Sequence, residues 1–288
     1  LLEIVILVSL IRHARDARLA LLVFLLGQSV FILSSWAMVA GLRVPWATSA
    51  WATVPEFKYA VFSTYLDQTL IFSASAAVLW HLSDLWPKAR WAAMVLAVAA
   101  LTNVLFFQQG KTGYLAAMVV VTLAVIWRTP KKWRWFGLVL VPLVLLLGAS
   151  VVSEKLMQRA ALVLSESQNY VTAGTSEGSS GFRLHAWRRS VQAILEKPVT
   201  GHGVGSWTQS VKKIEGARAQ IVFGEGLTSN PHQEFLLWGV ELGVLGTMLL
   251  VALVASLLRD ALTFSPPVQR ATLSVVAVMV VACLFNSA

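Results

Sequence analysis

The sequence predicts an all-α protein, a polytopic transmembrane helical bundle with one large loop outside the membrane. Three observations carry that reading. Hydrophobic residues make up 57% of the 288 and charged residues only 13%, whereas a water-soluble domain is about a quarter charged. The apolar residues are gathered into runs approaching the roughly 20 that a bilayer core demands. Lysine and arginine cluster in the short connections between alternate runs. A length rule of about 150 residues per domain would suggest two domains, but that rule presumes water as the solvent. One membrane domain is expected instead, with spans and short loops over 1–152, the large loop over 153–234, and further spans over 235–288.

Taken in order, the runs lie at residues 1–11, 19–41, 68–82, 91–107, 113–127, 136–152, 235–258 and 271–285, the first of them only a partial span. The first chain residues read Leu-Leu-Glu-Ile and the last Asn-Ser-Ala, so both ends are expected to be cuts within or beside helices, with no signal peptide to read. Arg12, Arg15 and Arg18 share one connection, Lys88 and Arg90 the next, then Arg128, Lys131, Lys132 and Arg134, and finally Arg259 and Arg270. Two spans separate each group from the next, so all four fall on one side, which the positive-inside rule makes the cytoplasm. Segments 42–67, 108–112 and 153–234 then face outward. A connection as long as the third normally carries function.

Within that loop, residues 154–164 continue the preceding helix with amphipathic spacing, and 165–180, rich in Ser, Gly, Thr and Asn, are expected to be mobile. Phe182, Ala186, Val191, Ile194 and Leu195 recur at helical spacing, which predicts a helix over 182–196 with Ser180 as N-cap and Pro198 as its stop. Arg188, Arg189 and Glu196 mark its polar face, so it should lie on the membrane surface or the bundle. Asn230-Pro231 reads as a cap followed by proline at the first helical position. That places His232 in the first turn of the 235–258 span, at the outer water boundary.

The net charge of +9 and pI near 10.1 could suggest a nucleic-acid partner, but the cations are scattered between apolar runs, and no nucleic acid is expected. Cys283 is alone, which rules out an intrachain disulfide and leaves no thiolate pair for a metal. Glu154, Glu166, Glu177, Glu196, Glu215, Glu225 and Glu234 are dispersed, so a metal-free site without cofactors is expected. Gly-His-Gly-Val-Gly at 201–205 lacks the strand and spacing of a phosphate loop and predicts a turn with positive φ. The tryptophans near run ends read as interfacial anchors. His185 and His202 could face a site or be plain loop residues, while His13 and His81 lie toward the cytoplasmic side.

Three residues stand out as able to do chemistry. A histidine at a helix N-terminus is disfavoured as imidazolium by the dipole and by any nearby cation, so His232 is expected to be neutral and able to accept a proton; the alternative is a residue that only caps its helix. Arg183, at the start of the loop helix, opposes that helix's dipole and is there for an anion or simply solvated. Lys111 occupies a tight outward turn between apolar runs. A cation at membrane depth costs about 2.5–3.5 kcal/mol unless it snorkels to the surface, so an anionic ligand and snorkelling both remain open.

Gly-Phe-Arg-Leu-His-Ala-Trp-Arg-Arg-Ser, then Glu-Lys-Pro-Val-Thr-Gly-His-Gly-Val-Gly-Ser-Trp, then Asn-Pro-His-Gln-Glu-Phe-Leu-Leu-Trp-Gly-Val-Glu-Leu-Gly resemble the signature of the O-antigen ligase and polymerase superfamily of bacterial inner-membrane glycosyltransferases. Gln-Gly-Lys-Thr-Gly-Tyr-Leu-Ala at 109–116 is similar to an earlier motif of that family, with Lys111 where arginine is usual. The motifs cover about a third of the chain, whose family members are typically longer. The resemblance implies an active site facing the periplasm, His232 as the essential histidine, and Arg183 and Lys111 as cations for a diphosphate. It implies an undecaprenyl-diphosphate-linked glycan as donor and the lipid A core as acceptor, in a membrane-lipid setting. An O-antigen polymerase, a protein O-oligosaccharyltransferase and, from a different class, a lipid-linked oligosaccharide flippase are the alternatives.

Overall fold

The computed structural model describes residues 13–62, 64–152, 154–173, 178–216 and 230–285; the partial run at 1–11 lies outside them. The described parts of the predicted runs are helical apart from Ala40 and Gly41, which form a turn, and the described residues contain no strand. Among the described residues, five helices are long and apolar enough to cross a membrane: Arg15–Val39, Arg90–Phe107, Lys111–Arg128, Glu234–Ala261 and Pro266–Phe285. The chain divides into two compact units, with the boundary after Val120 inside one of these helices.

The first unit contains α1 (Ala14–Val39), α2 (Tyr65–Leu82), α3 (Arg90–Thr102) with a π turn over Asn103–Phe107, and the first part of α4 (Lys111–Arg128). Ile32, Phe72, Ala76, Ala97, Ala100, Val104 and Ala117 form its core, the alanines letting helix backbones approach closely. Ser35, Gln68, Asn103 and Gln108 are buried at its centre. The Gln68 amide donates to Ser35 Oγ (3.1 Å) and to the Tyr59 carbonyl (3.0 Å), and its oxygen accepts from Val61 N–H (2.9 Å). Gln108 Nε2 donates to Asn103 Oδ1 (3.0 Å). Pairing of this kind is required where neither water nor lipid can satisfy a polar group.

The second unit contains α5 (Arg134–Val152), α6 (Glu154–Ala173), α7 (Gly178–Glu196), α8 (Trp207–Glu215), α9 (Glu234–Ala261) and α10 (Pro266–Phe285). Two local expectations are corrected here. Residues 165–173, read from composition as mobile, continue α6. Their hydroxyls fold back onto the preceding turn, as in Ser167 Oγ to Val163 O (2.7 Å) and Thr172 Oγ1 to Gln168 O (2.8 Å), which satisfies them without breaking the helix. α7 begins at Gly178 rather than 182, and Ser180 lies inside its first turn instead of capping it. The Ser180 N–H donates to Glu166 Oε2 of α6 at 2.8 Å, so an anion from the neighbouring helix satisfies this N-terminus.

α7 packs on α6, α8 and α9 around Ala186, Ala193, Trp207, Val211 and Val240. The fully buried Trp207 donates from its indole to Ser190 Oγ at 2.8 Å. The turn after α7 has Gly201, Gly203 and Gly205 at φ +67°, +104° and +76°, as the sequence predicted. It is stapled to α9 by His202 N–H to Val240 O (2.8 Å), Gly203 N–H to Glu241 O (2.9 Å) and Val244 N–H to Pro198 O (2.8 Å).

That staple sits at a break in α9. Gly243 has φ 68° and ψ −158°, a combination essentially reserved for glycine. Thr247 Oγ1 lies 3.5 Å from Phe235 O, although 12 residues of straight helix would separate them by about 18 Å. The first part of α9 therefore folds across the second, and the run read as one span consists of two pieces. Residues 244–261 alone are about 27 Å long at 1.5 Å per residue, close to the roughly 30 Å hydrocarbon core. Exposed large apolar side chains on α9 begin at Val244 and Leu245.

Candidate functional site at the head of α9

The segment Asn230-Pro231-His232-Gln233 leads into α9. The helix starts at Glu234, and its cap is Gln233, whose side chain accepts from Leu236 N–H. His232 thus precedes the helix instead of sitting in its first turn, and Asn230-Pro231 does not open it. Asn230 Oδ1 accepts from His232 N–H at 3.1 Å, an Asx turn of the kind asparagine favours. His232 has φ 55°, unlike any other non-glycine residue among those described. A left-handed backbone with a Cβ costs about 1–2 kcal/mol, so the surroundings must hold it.

They do so through α7. Trp187 Nε1 donates to Pro231 O at 3.0 Å, and the Phe182 ring stands edge-on to the imidazole with centroids 6.3 Å apart. His232 Nδ1 is buried and has no hydrogen-bond partner among the described residues. Burial, and then the charge of Arg183, lower the pKa of His232 from its ordinary 6.5. Desolvation is thus the main influence disfavouring the imidazolium, with the charge of Arg183 second.

Arg183 sits in the second turn of α7, because the helix starts earlier than its periodicity suggested. The dipole argument made for it loses force there, since that effect fades within the first turn. Its placement follows from spacing: Arg183 and Trp187 are four apart and share a face. His185 and Arg189 share a different face and converge on Glu215 of α8. His185 Nε2 lies 2.6 Å from Glu215 Oε1, and Arg189 Nε donates to the same oxygen. Burial of this carboxylate, 2% exposed, pushes its pKa up. The hydrogen bonds and charges of His185 and Arg189 outweigh burial and leave it below the usual 4.5. His185 is accordingly a clamp between α7 and α8. His202 Nε2 is 2.8 Å from Ala193 O and fastens the glycine turn.

Lys111 is the first residue of α4 and half-buried, a cation at the positive end of a helix. The turn before it is held by Tyr114 Oη donating to Gln108 O at 2.7 Å. Gly113 fits against Thr69, whose side chain would lie 2.3 Å from an added Cβ. Arg183 and His232 are brought together within the second unit, whereas Lys111 belongs to the first. Sequence reasoning missed Trp187 and Glu215 as supports. The four-residue spacing from Arg183 was a usable signal for Trp187; nothing in sequence pointed to Glu215.

Fold and site together define a polytopic, all-helical membrane protein with an arginine and a histidine with a buried ring nitrogen beside the head of an apolar helix. The chain belongs to the O-antigen ligase family: the Wzy_C family model, described as O-antigen ligase, matches residues 96–251, more than half of the 288. This match includes α7 and the His232 segment. No curated protein matches the chain. Members of the family are glycosyltransferase-like ligases and polymerases acting on lipid-linked glycans.

Proposed function

We propose that the protein is an O-antigen ligase that moves a polysaccharide from undecaprenyl diphosphate to a hydroxyl of the lipid A core oligosaccharide, at the periplasmic face of the inner membrane. The observation that carries the reading is His232, its Nδ1 buried, held in its turn and flanked by Trp187 and Phe182 of the same helix that bears Arg183. In the proposed step the acceptor hydroxyl oxygen attacks the anomeric carbon and the bond from that carbon to the diphosphate oxygen breaks, with inversion. His232 takes the hydroxyl proton, a general-base contribution of about 10²- to 10⁴-fold. Arg183 holds the diphosphate as charge grows on its departing oxygen, and the family resemblance assigns Lys111 a diphosphate-binding role as well. That interaction is stronger in a poorly hydrated site than in water. The lipid diphosphate leaves as a stabilised anion, so the donor arrives already activated.

Purified protein in lipid vesicles, given a synthetic undecaprenyl-diphosphate oligosaccharide, is offered rough lipopolysaccharide and a second lipid-linked repeat as competing acceptors. Glycan is expected on the lipopolysaccharide. Elongation of the second repeat would instead identify a polymerase. His232→Ala and Arg183→Ala should abolish or strongly slow transfer, and a parental rate in folded His232→Ala protein would eliminate the base role. Lys111→Arg should retain activity and Lys111→Met lose it, whereas equal activity of the two would favour a snorkelling lysine.

A further inference from the structure

His232 carries a strained backbone, and both polar groups of the peptide unit in front of it are held by side chains. Its carbonyl, Pro231 O, accepts from Trp187 Nε1 at 3.0 Å. Its N–H, on His232, donates to Asn230 Oδ1 at 3.1 Å. On the following side, the chain is fixed by Gln233, which caps α9. With that peptide plane fixed before the residue and a helix start fixed after it, the left-handed φ of 55° is imposed from outside. Trp187 is itself braced, because its ring packs on Phe285 of α10 with centroids 6.3 Å apart. It also shares a helix face with Arg183. One face of α7 therefore supplies both the cation and the donor that shapes the histidine's turn.

We infer that Trp187 is a positioning residue for His232, its indole N–H holding the 230–232 turn in the conformation that keeps the imidazole beside Arg183. The inference rests on the reading of His232 as the base. Without the indole donor the Pro231 carbonyl is free to turn, and His232 relaxes toward negative φ, which carries its ring away from Phe182 and Arg183. Donor binding, which uses the guanidinium, is untouched. Proton removal suffers, since small misplacements of a catalytic group cost large factors in rate.

The test is Trp187→Phe, which keeps a ring against Phe285 and removes the N–H. In vesicles, with the synthetic undecaprenyl-diphosphate oligosaccharide and rough lipopolysaccharide, kcat should fall on the order of tenfold, the worth of one hydrogen bond, with KM for the donor within about twofold. A second readout needs no substrate: the pH midpoint for modification of His232 by diethyl pyrocarbonate, followed by peptide mass spectrometry. Trp187→Phe should move that midpoint up from its parental value, as the ring gains water and leaves the cation. Unchanged kcat and midpoint in Trp187→Phe, with His232→Ala inactive, would overturn the positioning role. A fully active His232→Ala would sink the base reading instead. Should Trp187→Phe fail to fold, the other half of the clamp decides. Asn230→Ser keeps an acceptor in the turn and should resemble the parent, and Asn230→Leu should show the lowered kcat and raised midpoint. An Asn230→Leu protein that behaves as the parent would also overturn the proposal.

Discussion

Replacing Gly243 by alanine should disconnect the glycine turn from α9, and its size can be worked from the coordinates. An added Cβ would lie 2.3 Å from Val199 O and 2.5 Å from Val199 C. Both are backbone atoms, so no side chain can swing aside. The conformation at φ 68°, ψ −158° costs a residue with a Cβ about 1–3 kcal/mol. Moving the turn away forfeits the three backbone hydrogen bonds from His202, Gly203 and Val244, each worth about 1 kcal/mol. The sum is roughly 4–6 kcal/mol, a large part of the 5–15 that holds a typical domain together. At about 2–4 °C per kcal/mol for a chain of this order, thermal unfolding in detergent, followed by tryptophan fluorescence, should shift down by roughly 10–20 °C. Gly205→Ala is the control. Gly205 has φ +76° but nothing within 4 Å of its Cβ position, so only the left-handed penalty of about 1–2 kcal/mol applies. Equal shifts in the two variants, or a Gly243→Ala protein melting within a few degrees of the parent, would refute the reasoning.

Glu215→Gln should destabilise the second unit by about 2 kcal/mol at neutral pH, because Arg189 loses its carboxylate and His185 its hydrogen-bond partner; the usual buried-pair cost is discounted for the partial exposure of Arg189. The sign of the pH effect follows from a folded pKa below 4.5: the stabilisation is complete above that value and is lost as pH falls through the folded pKa. Melting curves below about pH 4.5 should therefore decline in the parent and lack that component in the variant. For activity, the depressed pKa of His232 places the acid limb of the kcat/KM profile below 6.5, since a protonated imidazole cannot accept a proton. Arg183→Gln should move that limb partway up, burial being the larger cause, and a limb that stays put would remove Arg183 from contact with the ring. Gln68→Leu should cost about 1–3 kcal/mol in thermal unfolding, because it leaves the buried Val61 N–H without its acceptor, while the Tyr59 carbonyl keeps Ser35 as a donor.

Much of this was legible because hydrocarbon imposes a length and a polarity that composition reveals directly. The described runs are helices, and Gly201, Gly203 and Gly205 form the turn their spacing suggested. The errors share a physical origin: one-dimensional patterns carry no information about which neighbour satisfies a polar group. Ser165, Ser167 and Thr172 look like loop formers until their hydroxyls are seen bonded to the preceding turn. Ser180 looks like a cap, but Glu166 of the adjacent helix serves that N-terminus. Gly243 lies in an uninterrupted apolar stretch where a glycine reads as a tolerated helix residue, and its break depends on a backbone contact with Val199, distant in sequence. The downward direction of the His232 pKa was anticipated, yet the dipole was credited with what burial does.

The arrangement explains why a site beside a membrane helix depends on a turn remote in sequence. α9 supplies an apolar stretch of about 27 Å over residues 244–261, and that length leaves its first ten residues outside the span. A straight extension would carry His232 away from the bilayer surface by roughly 1.5 Å per residue. Folding 234–242 back at Gly243 brings Phe235 alongside Thr247. The histidine turn is thereby kept near the level where the span begins. The fold-back leaves Val240, Glu241 and Val244 with backbone groups that a continuous helix would satisfy internally, and the 198–203 turn supplies their partners. Gly201 and Gly243 must both lack a Cβ for those backbones to meet. On this reasoning the two glycines help position the proposed base, setting its depth where Trp187 is proposed to set its orientation.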